Sequence, residues 1–108
     1  MTEEHELMTL IRLAVSSYVV IFRVNVGKGM TYDGRHFDTG VPKGFSDLFG
    51  VRKSDGRAVF IEVKTPHGRV RPEQQNFIDQ MKAAGAIAGV CRSIADAMKL
   101  IGVEDYEF

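Results

Sequence analysis

Cysteine occurs once in this 108-residue chain, at Cys91. No internal disulfide can form, and a cysteine-based zinc site is excluded. The histidines, His5, His36 and His67, stand far apart without metal-ligand spacing. No stretch approaches the ~20 apolar residues of a membrane helix. The start, MTEEHELM, is acidic rather than basic, so no signal peptide is expected. Repeats, low-complexity tracts and linkers are also missing. The expectation is a soluble, cytoplasmic protein forming one domain over residues 1–108. A chain of this size buries roughly two thirds of the surface it exposes when unfolded, enough for a core without staples.

Net charge is lacking too, since 14 basic residues balance 14 acids. The distribution is uneven. From Val19 to Arg71 ten basic residues face five acids, whereas the flanking segments hold four against nine. A basic middle could steer a phosphate backbone to one face. Chance variation in surface charge gives the same pattern.

What is present reads as an ordered series of elements. Glu3 to Ser17 carries apolar residues at Leu7, Leu10, Ile11, Ala14 and Val15, the spacing of a helix, with Thr2 as its cap. YVVIFRVNV is rich in β-branched and aromatic residues and predicts a strand. The glycine-rich stretch Gly27 to Gly44 contains Asp33-Gly34, a tight-turn signal, and so a small hairpin. SDLFGVRK and RAVFIEVK, separated by Ser54-Asp55-Gly56, predict two paired strands. Pro72 suits the first turn of a helix running to about Ala84, with Gly85 as its stop. AIAGVCR predicts a last strand, and Ser93 caps a final helix through Leu100. The acidic tail VEDYEF is expected to fray. The fold class is α/β, a mixed sheet flanked by helices, with a hairpin inserted after the first strand.

Charges interrupt this apolar scaffold at one place. Glu62 and Lys64 lie two apart on a strand and share a face, directly after Val59-Phe60-Ile61. Asp47 begins the partner strand, which sets it opposite the Glu62 end. Two converging carboxylates make a hard-cation site suited to Mg2+ or Mn2+. The Val63 backbone carbonyl would add a ligand, and Lys64 would orient a water or stabilise charge on a phosphate. A lone E-x-K more often marks a surface ion pair. Its combination with an acid on the adjoining strand points to chemistry.

The order of elements and the D…ExK pattern resemble the PD-(D/E)XK nuclease superfamily, and within it the virus-type replication-repair nuclease, or VRR-NUC, domain. The likeness is carried by Arg23-Val24-Asn25-Val26-Gly27, by Gly40 to Leu48, by Phe60 to Thr65 and by Arg71 to Phe77. Ser46 stands where the superfamily usually has proline. The resemblance implies a restriction-endonuclease-like α-β-β-β-α-β core. It also implies a glutamate of the first helix near the metal, for which Glu4 lines up with Leu7, Met8 and Ile11, Glu3 and Glu6 remaining open. All three also suit the helix dipole. It implies a glutamine early in the second helix, and Gln74 shares a face with Phe77, Ile78 and Met81, while Gln75 turns towards solvent.

The implied activity is a metal-dependent DNA endonuclease, structure-selective and acting on branched DNA such as four-way (Holliday) junctions. Paired cuts would call for a homodimer, and a phage or prophage source is implied. Other nuclease roles (nickase, flap or restriction-type cleavage) and a non-catalytic nucleic-acid-binding protein are the alternatives. Lys43, Arg69 and Arg71 flank the site and are candidates for phosphate contacts, or ordinary solvated charge. Arg23 and Asn25 alternate on one strand face and are expected to support the site, Arg23 also as a DNA contact. His36 lies in the hairpin insertion, which could reach DNA. His67 reads as a loop residue, and Cys91 as core.

Overall fold

The computed structural model describes residues 2–25 and 28–106. Val26 and Gly27, where the first expected strand ends and the loop begins, lie outside the described residues, as do Met1, Glu107 and Phe108. The elements are α1 (Glu3–Val15), β1 (Val19–Arg23), β2 (Lys28–Met30), β3 (His36–Asp38), β4 (Leu48–Arg52), β5 (Ala58–Val63), α2 (Pro72–Ala83), β6 (Ile87–Cys91) and α3 (Ile94–Leu100). Helix starts follow their caps. The Thr2 hydroxyl accepts the His5 N–H at 3.1 Å, and Ser93 accepts that of Asp96 at 3.0 Å.

Four strands form a mixed sheet in the order β1-β4-β5-β6, antiparallel except for the β5–β6 pair. The β2–β3 hairpin is a separate two-stranded sheet. Without it the chain reads α-β-β-β-α-β plus a closing helix, the expected architecture. The parallel β5–β6 step requires a crossover, and α2 supplies it.

Alternation along the strands divides the core in two. On one face Val19, Leu48, Val59, Ile61, Val63 and Cys91 pack with Met8, Ile11 and Val15 of α1 and with Ala97 and Met98 of α3. On the other, Phe60 and Ala88 meet Ile78 of α2, with Phe45, Phe49 and Phe77 around them. Phe45 and Phe77 have ring centroids 4.6 Å apart, and Phe49 and Phe60 5.0 Å. This aromatic cluster seats α2 against β4 and β5.

One expectation needs correction. The tail does not fray from its start, because Val103 and Tyr106 pack against the α1–α3 core. Apolar contact outweighs the acidity of Glu104 and Asp105, which stay exposed. The small hairpin expected at Asp33-Gly34 is present. Met30 pairs with His36, and Gly34 N–H donates to Thr31 O at 3.0 Å. With Thr31 N–H bonded to Arg35 O at 2.7 Å, the loop proper is Tyr32-Asp33-Gly34. Gly34 at φ +87° takes the left-handed position that such three-residue loops require.

Candidate active site

The register of β4 and β5 builds the site. Leu48 pairs with Ile61, so the next step of the ladder sets Asp47 beside Glu62. Leu48 and Ile61 both belong to the α1-side core. Asp47, Glu62 and, two residues on, Lys64 therefore sit on the opposite face, under α2. Asp47 Oδ2 accepts the Val63 N–H at 2.9 Å. A strand residue turns its N–H and C=O to the same edge, so the Val63 carbonyl faces the Asp47 side as well.

Asp47 is held from behind. Its carbonyl accepts Val24 N–H at 2.8 Å. Buried Ser46 donates its hydroxyl to Leu48 O at 2.9 Å, closing the bend around the aspartate. Gly44 approaches α2 so closely that a Cβ there would lie 2.3 Å from Glu73 O, and its φ is +91°. A side chain at Gly44 would push the Asp47 segment off the helix.

Glu62 is 2 % exposed and Lys64 6 %. Glu62 Oε1 accepts Gln74 Nε2 at 2.9 Å and lies 3.8 Å from Lys64 Nζ. Gln74 is itself fixed, since its Oε1 accepts Arg71 N–H at 2.9 Å. One amide thus caps the start of α2 and orients a carboxylate. Glu62 Oε2 is buried without a hydrogen-bond partner. A buried carboxylate oxygen is costly to leave unmet, so this atom has the character of a ligand awaiting a cation. Burial first, then the charge of Asp47, pushes the Glu62 carboxyl up to about 8, with Lys64 pulling the other way. The pair repels itself unless positive charge is added between its members. A hard divalent ion fits that donor set.

The other expected residues are placed differently. Glu3, Glu4 and Glu6 all stay exposed on the first turn of α1. Among the described residues no third acid, histidine or cysteine joins Asp47 and Glu62 in a metal-holding group. Glu4 shares the face of buried Met8 and Ile11, as its spacing predicts, but at the solvent end. Lys43 lies 3.9 Å from Glu73 Oε1 at the start of α2. Arg69 and Arg71 are exposed on the loop between β5 and α2. Arg23 pairs with Leu48, so alternation turns it to the α1 face, away from Asp47. The expected site-facing role of Arg23 is corrected by that register. His67 is exposed, and burial pushes the Cys91 thiol up to about 12, which leaves it an inert core residue.

Arg92 belongs to the site's support and was not anticipated. Its Nη1 donates to Thr65 O at 2.6 Å and to Gly68 O at 2.8 Å. It thereby ties the end of β6 to the loop that directly follows Lys64. Nothing local in sequence announces a guanidinium that collects carbonyls more than twenty residues away.

Comparison with known proteins agrees with this fold. The family model described as the VRR-NUC domain matches residues 24–95. A solved structure titled "VRR_NUC domain" superposes with a TM-score of 0.65 at 21% identity, covering 94% of this chain and 96% of that one. No curated protein matches the chain in sequence.

Proposed function

Since the chain belongs to the VRR-NUC family of nuclease domains, we propose that it is a metal-dependent, structure-selective DNA endonuclease that hydrolyses phosphodiester bonds in branched DNA such as four-way junctions. The observation carrying the reading is the buried, unpartnered Oε2 of Glu62, a carboxylate that the β4–β5 register sets beside Asp47. Asp47, Glu62 and the Val63 carbonyl are the ligands for Mg2+ or Mn2+. Once bound, such an ion neutralises the scissile phosphate and lowers the pKa of a coordinated water.

The chain's own residues do the rest. Gln74 and Lys64 both approach Glu62 Oε1, which leaves the buried Oε2 without a hydrogen-bond partner among the described residues. The Val63 N–H fixes one Asp47 oxygen and leaves the other to bind. Lys64, beside these carboxylates, orients the attacking water and stabilises charge developing on the phosphate. Lys43, Arg69 and Arg71 are exposed around the start of α2 and supply phosphate contacts that position the duplex. Glu4, one turn beyond Met8, is available as an outer carboxylate.

A homodimer supports paired cutting. β1 is an edge strand of the sheet, and Val20 and Phe22 on it are 49% and 52% exposed. Leu13 of α1 lines the same groove as Val20 and is 68% exposed. An unprotected apolar edge of this kind invites pairing with another strand. Among the described residues no helix is long and apolar enough to cross a membrane.

The test is a substrate panel. Labelled four-way junction, flap, linear duplex and single strand are incubated with Mg2+ or Mn2+ and wild type or Lys64→Ala. Paired junction cuts, lost in the variant, support the proposal. Cleavage of duplex or flap alone removes junction selectivity. No cleavage of any substrate leaves a nucleic-acid-binding protein of nuclease fold.

A further inference from the structure

The β2–β3 hairpin lies in the excursion of the chain between β1 and Asp47 and forms a sheet of its own. The chain leaves β1 at Arg23 and returns at Asp47, and Val24 N–H to Asp47 O closes the base of this excursion at 2.8 Å. Within it β2 and β3 pair only with one another rather than with the four-stranded sheet. From Lys28 to the loop is four residues, so the tip stands about 13 Å beyond the hairpin's base. The whole chain measures 48 Å against 32 and 26 Å across, with a radius of gyration of 14.4 Å. A compact chain of this length is expected nearer ~13 Å.

The hairpin exposes two large hydrophobic side chains. Tyr32 is 109% exposed and Met30 59%. The loop beneath is pinned by Gly34 N–H to Thr31 O, by Arg35 N–H to Thr31 Oγ1 at 3.0 Å, and by a 3.1 Å ion pair between Arg35 and Asp33. The Thr31 hydroxyl also bonds Asp33. Such a lattice fixes the backbone from which Tyr32 projects, so little further order is lost when its ring binds.

We propose that Tyr32 is a base-stacking wedge that recognises the unpaired or frayed nucleotides of a branch point. Every nucleobase offers a π-face, so stacking reads the presence of an unstacked base rather than its identity. Proteins that open base steps insert side chains of this kind. In continuous duplex each base is already stacked, and the ring finds no partner. The inference rests on the nuclease reading for its purpose, but not for its measurement.

The experiment measures binding in the absence of divalent metal, so it needs no cleavage. Full-length wild type, Tyr32→Ala and Tyr32→Phe are titrated against a four-way junction and a linear duplex of the same sequence. Both carry 2-aminopurine near the branch or at the matching position. Wild type is expected to change the 2-aminopurine emission of the junction only. Tyr32→Ala is expected to lower the junction-to-duplex affinity ratio by roughly tenfold, and Tyr32→Phe to restore it. Circular dichroism and melting confirm that the variants fold. An unchanged ratio in Tyr32→Ala, or wild type that does not prefer the junction, overturns the wedge. A wedge that passes with wild type that cuts nothing in Mg2+ refutes the nuclease reading and leaves a branch-binding protein.

Discussion

Gln74 Nε2 donates to Glu62 Oε1 at 2.9 Å while the oxygen of the same amide accepts Arg71 N–H. The start of α2 is thus joined to a carboxylate in the middle of the sheet. Removing this outer partner frees the carboxylate without deleting it. Gln74→Ala is expected to weaken Mn2+ binding and cleavage by about 10- to 100-fold, the usual cost of losing a partner behind a metal ligand. Calorimetric titration with Mn2+ checks it. Equal affinity in wild type and variant would show that Gln74 caps the helix and nothing more.

Asp47→Asn and Glu62→Gln should each abolish cleavage. They differ in stability. Glu62→Gln removes a buried carboxyl that lacks a complete set of partners, so its melting temperature without metal should match or exceed that of wild type. Asp47→Asn alters the acceptor for Val63 N–H and should lose about 1 kcal/mol. Denaturant melts resolve both. A strongly destabilised Glu62→Gln would mean that the carboxyl is structural.

Glu62 also sets a pH dependence. Its carboxyl is raised from an ordinary 4.5 to about 8. Between those values the folded chain holds a proton that the unfolded chain releases. The resulting stability is therefore fully present below about 4.5 and is lost as pH rises to about 8. Metal competes with that proton, so Mn2+ affinity should climb through the same window. Melting in EDTA from pH 5 to 8.5, wild type against Glu62→Gln, isolates the group. Identical slopes for the two proteins would contradict the shift.

Arg92 holds the loop after Lys64 through the carbonyls of Thr65 and Gly68. Arg92→Ala should cost about 1–3 kcal/mol of stability and lower kcat more than it raises KM, because Lys64 loses its backing. Arg92→Lys can make only part of the fork and should recover part of the rate. A variant that melts lower but turns over normally would reduce Arg92 to a structural tie.

Glu4 lies outside the group of Asp47 and Glu62. Glu4→Gln should therefore slow cleavage far less than Asp47→Asn does, and Glu3→Gln and Glu6→Gln less still. Single-turnover rates rank them. A Glu4 variant as inactive as Asp47→Asn would require α1 to move onto the site when metal binds.

The carboxylate pair and its lysine were legible because strand alternation is a strict period of two. Residues Glu62 and Lys64 share a face whatever the rest of the fold does, and Asp47 follows once the hairpin pairing is recognised. Gln74 was expected from the family resemblance, and its alignment with Phe77, Ile78 and Met81 singled it out over Gln75. Arg23 shows the limit of that logic. Its own strand was clear, but which face it presents depends on its pairing with Leu48, and that needs the register between strands. Arg92 and Ser46 act on backbone carbonyls, which carry no sequence signature. Tyr106 packs against the core despite the acids before it, because tertiary contact overrides local composition.

The most direct measurement is single-turnover cleavage of a labelled four-way junction in Mg2+ by wild type and Glu62→Gln, each shown to be folded. The expected result is paired symmetric cuts by wild type and none by the variant, with EDTA silencing the wild type. Cleavage that persists in Glu62→Gln, or in EDTA, would contradict a metal-dependent centre built on Asp47 and Glu62.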